Sequence, residues 1–221
     1  MSLNETARPA PRPLGPLHYP DVSQDAVVVI PGIMGSTLVD TVTGDTLWGL
    51  DRLGWYRQAW TSGESLRALG NREPGRIVAR GLLRFPAWAP LGNFEPYTTL
   101  IRGLHTMVAH PDAVLEFGYD WRLPVLDNAR LLARAAHAHL TAWRAHPTHD
   151  HARRISPDER PAQLVLVAHS MGGLLARALP LVEGTNDSHG DVPALTPDIR
   201  ATITLGTPFE GAAKVAVILG T

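Results

Sequence analysis

The chain contains no cysteine, which excludes a disulfide scaffold, a thiolate zinc site and a cysteine nucleophile. It also lacks a charge excess. Lys and Arg number 20 against 21 Asp and Glu, a formal net charge of −1. A nucleic-acid module would need a basic surplus for its phosphate contacts, so no nucleic-acid partner is expected. Long apolar runs are missing too. The longest charge-free windows, 26–39 and 161–176, are interrupted by Pro, Gly, Ser or His and fall short of the roughly 20 apolar residues of a membrane span. Residues 1–24 have no apolar stretch and carry prolines at 9, 11, 13, 16 and 20, so they read as a flexible arm rather than a secretory signal. Together with the missing cysteines, this gives the expectation of a cytoplasmic location. What the chain does have is a 44% hydrophobic share alongside 20 Gly and 19 Pro. That composition predicts a sizeable core with many loops and disfavours a long helical bundle.

Four short apolar runs stand out: 26–30 (AVVVI), 113–117 (AVLEF), 164–168 (LVLVA) and 201–205 (ATITL). Three are rich in β-branched residues with little alternation, the pattern of parallel strands buried on both faces. Helical periodicity separates them. Tyr97, Leu100, Ile101, Leu104, Met107 and Val108 recur behind Pro96; Leu131, Leu132, Ala135, Ala138 and Ala142 recur behind Asp127 or Asn128 as cap. Further helices are expected over 171–179 and 212–219. Strand alternating with helix predicts an α/β fold built on a parallel sheet flanked by helices.

Two stretches interrupt this order. Residues 40–93 hold Trp48, Trp55, Trp60 and Trp88, and an insertion of that length is expected to act as a lid or binding cap. Its alternative is a small satellite core that buries its own tryptophans. Residues 145–161 (AHPTHDHARRISPDERP) are polar and read as an exposed loop. His146, His149, Asp150 and His151 within it invite a metal, but a solvated loop is the simpler reading, so no metal and no cofactor is expected.

The sharpest chemical signal is 164–177, LVLVAHSMGGLLAR. A buried strand runs into a tight turn at Ser170 and a helix leaves at once, which is the nucleophile elbow that exposes a serine hydroxyl above a sheet. Ala168 and Gly172 fill the places two before and two after, where strand and helix crowd the turn. The amide of Met171, opening the helix, points to where a tetrahedral oxyanion would form. A second donor is expected from the loop PGIMG after the first strand, from Ile33 or, close by, from Met34. Hydrolases of this kind place the acid and then the histidine after the serine. Here only His189 follows Ser170, with Glu183, Asp187, Asp191, Asp198 and Glu210 as acids. His169 adjoins the serine and points elsewhere.

Taken together, VVVIPGIMGSTL (27–38), FGYDWRL (117–123), VAHSMGGLLAR (167–177) and ITLGTPFEGA (203–212) resemble the lecithin:cholesterol acyltransferase-like lipases and acyltransferases of the α/β-hydrolase superfamily. The resemblance implies an α/β-hydrolase core over 25–221, the insertion as a cap touching membranes peripherally, and a serine hydrolase or O-acyltransferase acting on lipid esters through an acyl-serine. It also implies Trp121 as a wall of the acyl cleft, with Asp120 and Arg122 paired to hold their loop. Met34 lies near the acyl chain, and Phe209 either lines the pocket or packs beneath it. In that family the acid and histidine follow later strands. The expectation is therefore a core incomplete at its C-terminal end, with a further segment supplying both groups. The alternative is a non-catalytic lipid- or protein-binding module that keeps the hydrolase scaffold.

Overall fold

The computed structural model describes residues 22–49, 70, 75–84, 96–155 and 160–211. Its centre is a four-stranded, all-parallel sheet in the order β5-β1-β6-β9, formed by β1 (Ala26–Ile30), β5 (Val114–Glu116), β6 (Leu164–His169) and β9 (Ile199–Leu205). β1 lies between β5 and β6 with Val28 opposite both Leu115 and Leu166. Every residue of β1 is buried, which is why its sequence carries no alternation. β9, at the sheet's edge, is exposed along most of its length.

Four helices among the described residues connect these strands. α1 (Pro96–Met107) precedes β5, α2 (Val125–Arg144) joins β5 to a short α3 (Pro147–Ile155), and α4 (Met171–Val182) leaves β6 directly. α2 buries Ala129, Leu132, Ala133, Ala136, Leu140 and Trp143. The expected face is therefore rotated: Leu131, Ala138 and Ala142 are exposed. In so alanine-rich a helix the apolar stripe is ambiguous, and Trp143 decides it by burying its ring and donating Nε1–H to the Gln24 carbonyl at 2.8 Å. The cap also differs from expectation. Pro124 holds the N-cap place, and Asn128 turns inward to donate to the carbonyls of Asp120 and Leu123.

Two further corrections concern the irregular stretches. Residues 147–155 form a helix rather than an exposed loop, and His149 is buried against Trp143. Ser23 and Gln24, placed in the arm by sequence, are fixed to the domain: Ser23 exchanges backbone hydrogen bonds with Met107 and Ala109. In the insertion, β3 (Thr46–Trp48), β2 (Ser36–Asp40) and β4 (Ile77–Leu82) make an antiparallel sheet around Leu38, Trp48 and Ile77. That described part is a satellite core. Trp55, Trp60, Trp88, residues 1–21 and the helix expected over 212–219 lie outside the described residues.

A small hairpin, β7 (Asn186–Asp187) with β8 (Gly190–Asp191), follows α4 and is clamped to α2 by Arg134. No helix among the described residues is long and apolar enough to cross a membrane.

Candidate active site

All parallel strands of the sheet end on one rim, and open α/β sheets bind ligands there. Ser170 stands on it between β6 and α4 with φ 50° and ψ −121°. For a residue with a Cβ this left-handed backbone is strained, and such strain persists only where the surroundings fix it. Here they do. The Ser170 amide donates to the Leu205 carbonyl at 2.8 Å, and its own carbonyl accepts from Gly173 at 3.1 Å. The turn also needs glycine behind it. A Cβ on Gly172 would lie 2.6 Å from the carbonyl oxygens of both Ile30 and Pro31, and one on Gly173 would lie 2.0 Å from Thr207 Oγ1.

Opposite the elbow, the loop from β1 to β2 closes a turn in which the Gly35 amide donates to the Gly32 carbonyl at 3.0 Å. Met34 occupies its third position with φ 62°, the positive-φ place of a type II turn. Trp48 of the satellite sheet holds it there by donating Nε1–H to the Met34 carbonyl at 2.9 Å. Among the described residues no acceptor engages the amides of Ile33, Met34 or Met171. The loop approaches Ser170 so closely that a Cβ on Gly32 would stand 2.9 Å from Ser170 Cβ. Ile33, Met34 and Phe209 expose 56%, 41% and 44% of their surface at this rim.

The remaining sequence candidates fall in different places. Trp121 is partly buried between the two cores, edge-on to Trp48 at 5.3 Å; its Nε1 is buried and has no partner. Asp120 and Arg122 form a double contact at 2.8 and 2.5 Å, with Asp120 buried. Phe209 lies under the Arg177 guanidinium at 5.4 Å. His189 is in the β7–β8 turn, lining a cavity of about 330 Å³ with Leu123, Arg130 and Leu131 on the flank of α2. His169 is committed elsewhere: its Nδ1 lies 2.9 Å from the Tyr97 hydroxyl, and burial lowers its pKa. Sequence reading missed Tyr97, because at a helix position of apolar period nothing marks a polar contact to residues 65 and 72 places away.

The chain matches no protein-family description and no curated protein. Its fold is similar to that of a chain in the crystal structure of the Tle4–Tli4 complex, at 18% identity and a TM-score of 0.51. The alignment covers 86% of this chain and 46% of that one, so this chain spans under half the neighbour's length. The likeness agrees with the observed architecture, a mainly parallel sheet flanked by helices as in the α/β-hydrolases.

The histidines that invited a metal do not gather as a group. His146 instead meets His110 and Asp112 at the opposite end of the sheet, with Asp112 Oδ2 3.5 Å from His110 Nδ1 and 3.6 Å from His146 Nε2. Each ring accepts a backbone N–H at Nδ1, from Asp112 and from Thr148, both at 3.2 Å. In the neutral ring that leaves the proton on Nε2. Neither histidine then has a lone pair free for a cation, and the pair serves as turn caps stacked beside Trp143.

Proposed function

We propose that the chain carries the nucleophile and oxyanion elements of a serine esterase of the lecithin:cholesterol acyltransferase-like type. It would act as a lipid-ester hydrolase or O-acyltransferase. The observation that carries this reading is Ser170 in left-handed backbone at a strand-to-helix elbow, beside a loop whose Ile33 and Met34 amides meet no acceptor among the described residues. Ser170 Oγ attacks the ester carbonyl. Its proton passes to a general base, the carbonyl oxygen gathers negative charge, and the amides of Met171 and Ile33, or Met34, stabilise it. Collapse expels the alcohol and leaves an acyl-serine, which water or a second alcohol then cleaves.

His169 is tied to Tyr97 and is not this base. The histidine and its acid are proposed to come from outside the described residues. The exposed Ile33, Met34 and Phe209 support an apolar acyl group at the rim, with Trp121 beneath the satellite sheet. The same apolar surface is proposed to touch a lipid interface peripherally.

The test is covalent labelling of the chain with an alkyl fluorophosphonate, read by mass spectrometry. Modification at Ser170, abolished in Ser170→Ala, is the expected result. Labelling that persists in Ser170→Ala removes the serine from the mechanism. A chain that takes no label yet binds lipid vesicles equally well with either residue is a binding module on a hydrolase scaffold.

A further inference from the structure

One side chain links the loop and the elbow. Tyr97, in the first turn of α1, is 4% exposed, and its hydroxyl oxygen accepts the Gly32 amide at 2.9 Å. The same oxygen lies 2.9 Å from His169 Nδ1, and the two rings meet edge to face at 5.9 Å. The packing around it leaves no slack. A Cβ on Gly35 would stand 2.8 Å from the Tyr97 hydroxyl, and one on Gly32 would stand 3.1 Å from His169 Nδ1. The first and last residues of the Gly32–Gly35 turn are thus both fitted to one phenol oxygen. That oxygen is in turn fastened to the residue preceding Ser170. Gly32 spends its amide on Tyr97, and the turn's next amides, Ile33 and Met34, meet no acceptor among the described residues.

We infer that Tyr97 is a positioning residue: its hydroxyl sets the distance and orientation of the Ile33 and Met34 amides relative to Ser170. This inference rests on the esterase reading for its catalytic meaning, and on the hydrogen bonds alone for its structural part. A buried phenol oxygen bonded to both sides of a cleft fixes their separation, and a misplacement of about 1 Å in such a site costs about a hundredfold in rate. The phenol touches neither the reacting serine oxygen nor the place of the ester. Its effect is on the rate of attack rather than on apolar binding of the acyl chain.

Tyr97→Phe removes one oxygen and keeps the ring. In this variant the Gly32 amide is expected to exchange with deuterium at least tenfold faster, while the β6 amides keep their protection. The maximal rate of Ser170 labelling by the alkyl fluorophosphonate is expected to fall about tenfold to a hundredfold, with the probe concentration for half-maximal rate unchanged. An unchanged labelling rate overturns the inference. So does a fall in labelling matched by general loss of amide protection. If the unmodified chain takes no label, the esterase reading fails and the clamp is judged on Gly32 exchange alone, where an unchanged rate overturns it. Should Tyr97→Phe not fold, the unmodified chain decides. Its Gly32 amide is expected to exchange at least a hundredfold more slowly than those of Ile33 and Met34; three equal rates overturn the clamp.

Discussion

The two ends of the central sheet are built on opposite rules. At the end where the strands begin, a buried carboxylate is surrounded by donors. Asp25 is fully buried and takes both arms of the Arg160 guanidinium at 2.6 and 2.7 Å, the Gln163 amide at 2.9 Å and Arg200 at 2.7 Å. Arg144 donates to the Ala162 carbonyl beside it. At the end where the strands finish, groups are left wanting. Among the described residues no acceptor engages the amides of Ile33, Met34 and Met171, and Trp121 Nε1 and Thr207 Oγ1 are buried without partners. The described non-glycine residues with positive φ, Met34 and Ser170, both lie here. One end spends its hydrogen bonds on the fold, and the other combines strained backbone with donors that meet no acceptor among the described residues.

Four experiments can break or sharpen that contrast. The largest effect is expected from Asp25→Ala, about 3 kcal/mol of unfolding free energy in urea titration. That is the low end for breaking a buried ion pair, because Arg160 and Arg200 keep access to water. Labelling of Ser170 well below the melting temperature should be unaffected; if it collapses, the two ends are coupled. Next comes Gly172→Ala. Its methyl group meets two carbonyl oxygens of backbone, so a loss of about 1–3 kcal/mol is expected, together with loss of labelling. A variant that labels normally would show the elbow is not tightly fixed.

The third experiment is acid titration. Burial alone would raise the Asp25 pKa, but Arg160, Gln163 and Arg200 outweigh it and hold the carboxyl below its usual value. A carboxyl depressed in the folded state contributes stability that is complete above its unfolded pKa of about 3.9. That contribution is lost as pH falls through the lower folded value. The chain should therefore lose more stability between about pH 5 and pH 2 than Asp25→Asn does; equal losses would deny Asp25 its place. The smallest effect belongs to Met34→Gly, where relief of the left-handed backbone offsets the entropy glycine adds to the unfolded chain. A change under about 1 kcal/mol is expected in the same titration. A larger loss would mean the Met34 side chain, not its backbone, holds the turn.

How much of this was legible in the sequence follows from the range of each cause. The two central strands, β1 and β6, declared themselves because burial on both faces leaves an unbroken apolar run, as in Val27–Ile30. The elbow did too, because strand, serine and small residues follow one another within a few positions, although the contacts that require Gly172 and Gly173 come from Ile30, Pro31 and Thr207. The face of α2 did not, since its six alanines fit several stripes and Trp143 chooses one only by reaching Gln24, 119 residues away. The helix over 147–155 was hidden for a related reason. Its polar residues read as loop until His149 finds the Trp143 ring. Tyr97 is the clearest case: its period marks it as core, and only the folded chain brings its hydroxyl to Gly32 and His169.

The hydrogen bond from Ser170 to Leu205 also bears on how the molecule is made. The strand that supplies this carbonyl is the last of the four to leave the ribosome, and it pairs with β6 from Leu164 to His169. Until Leu205 has emerged and docked, one of the hydrogen bonds that hold Ser170 in its contorted backbone is missing. The elbow is complete only when synthesis has passed residue 205, so its geometry is a late product of folding.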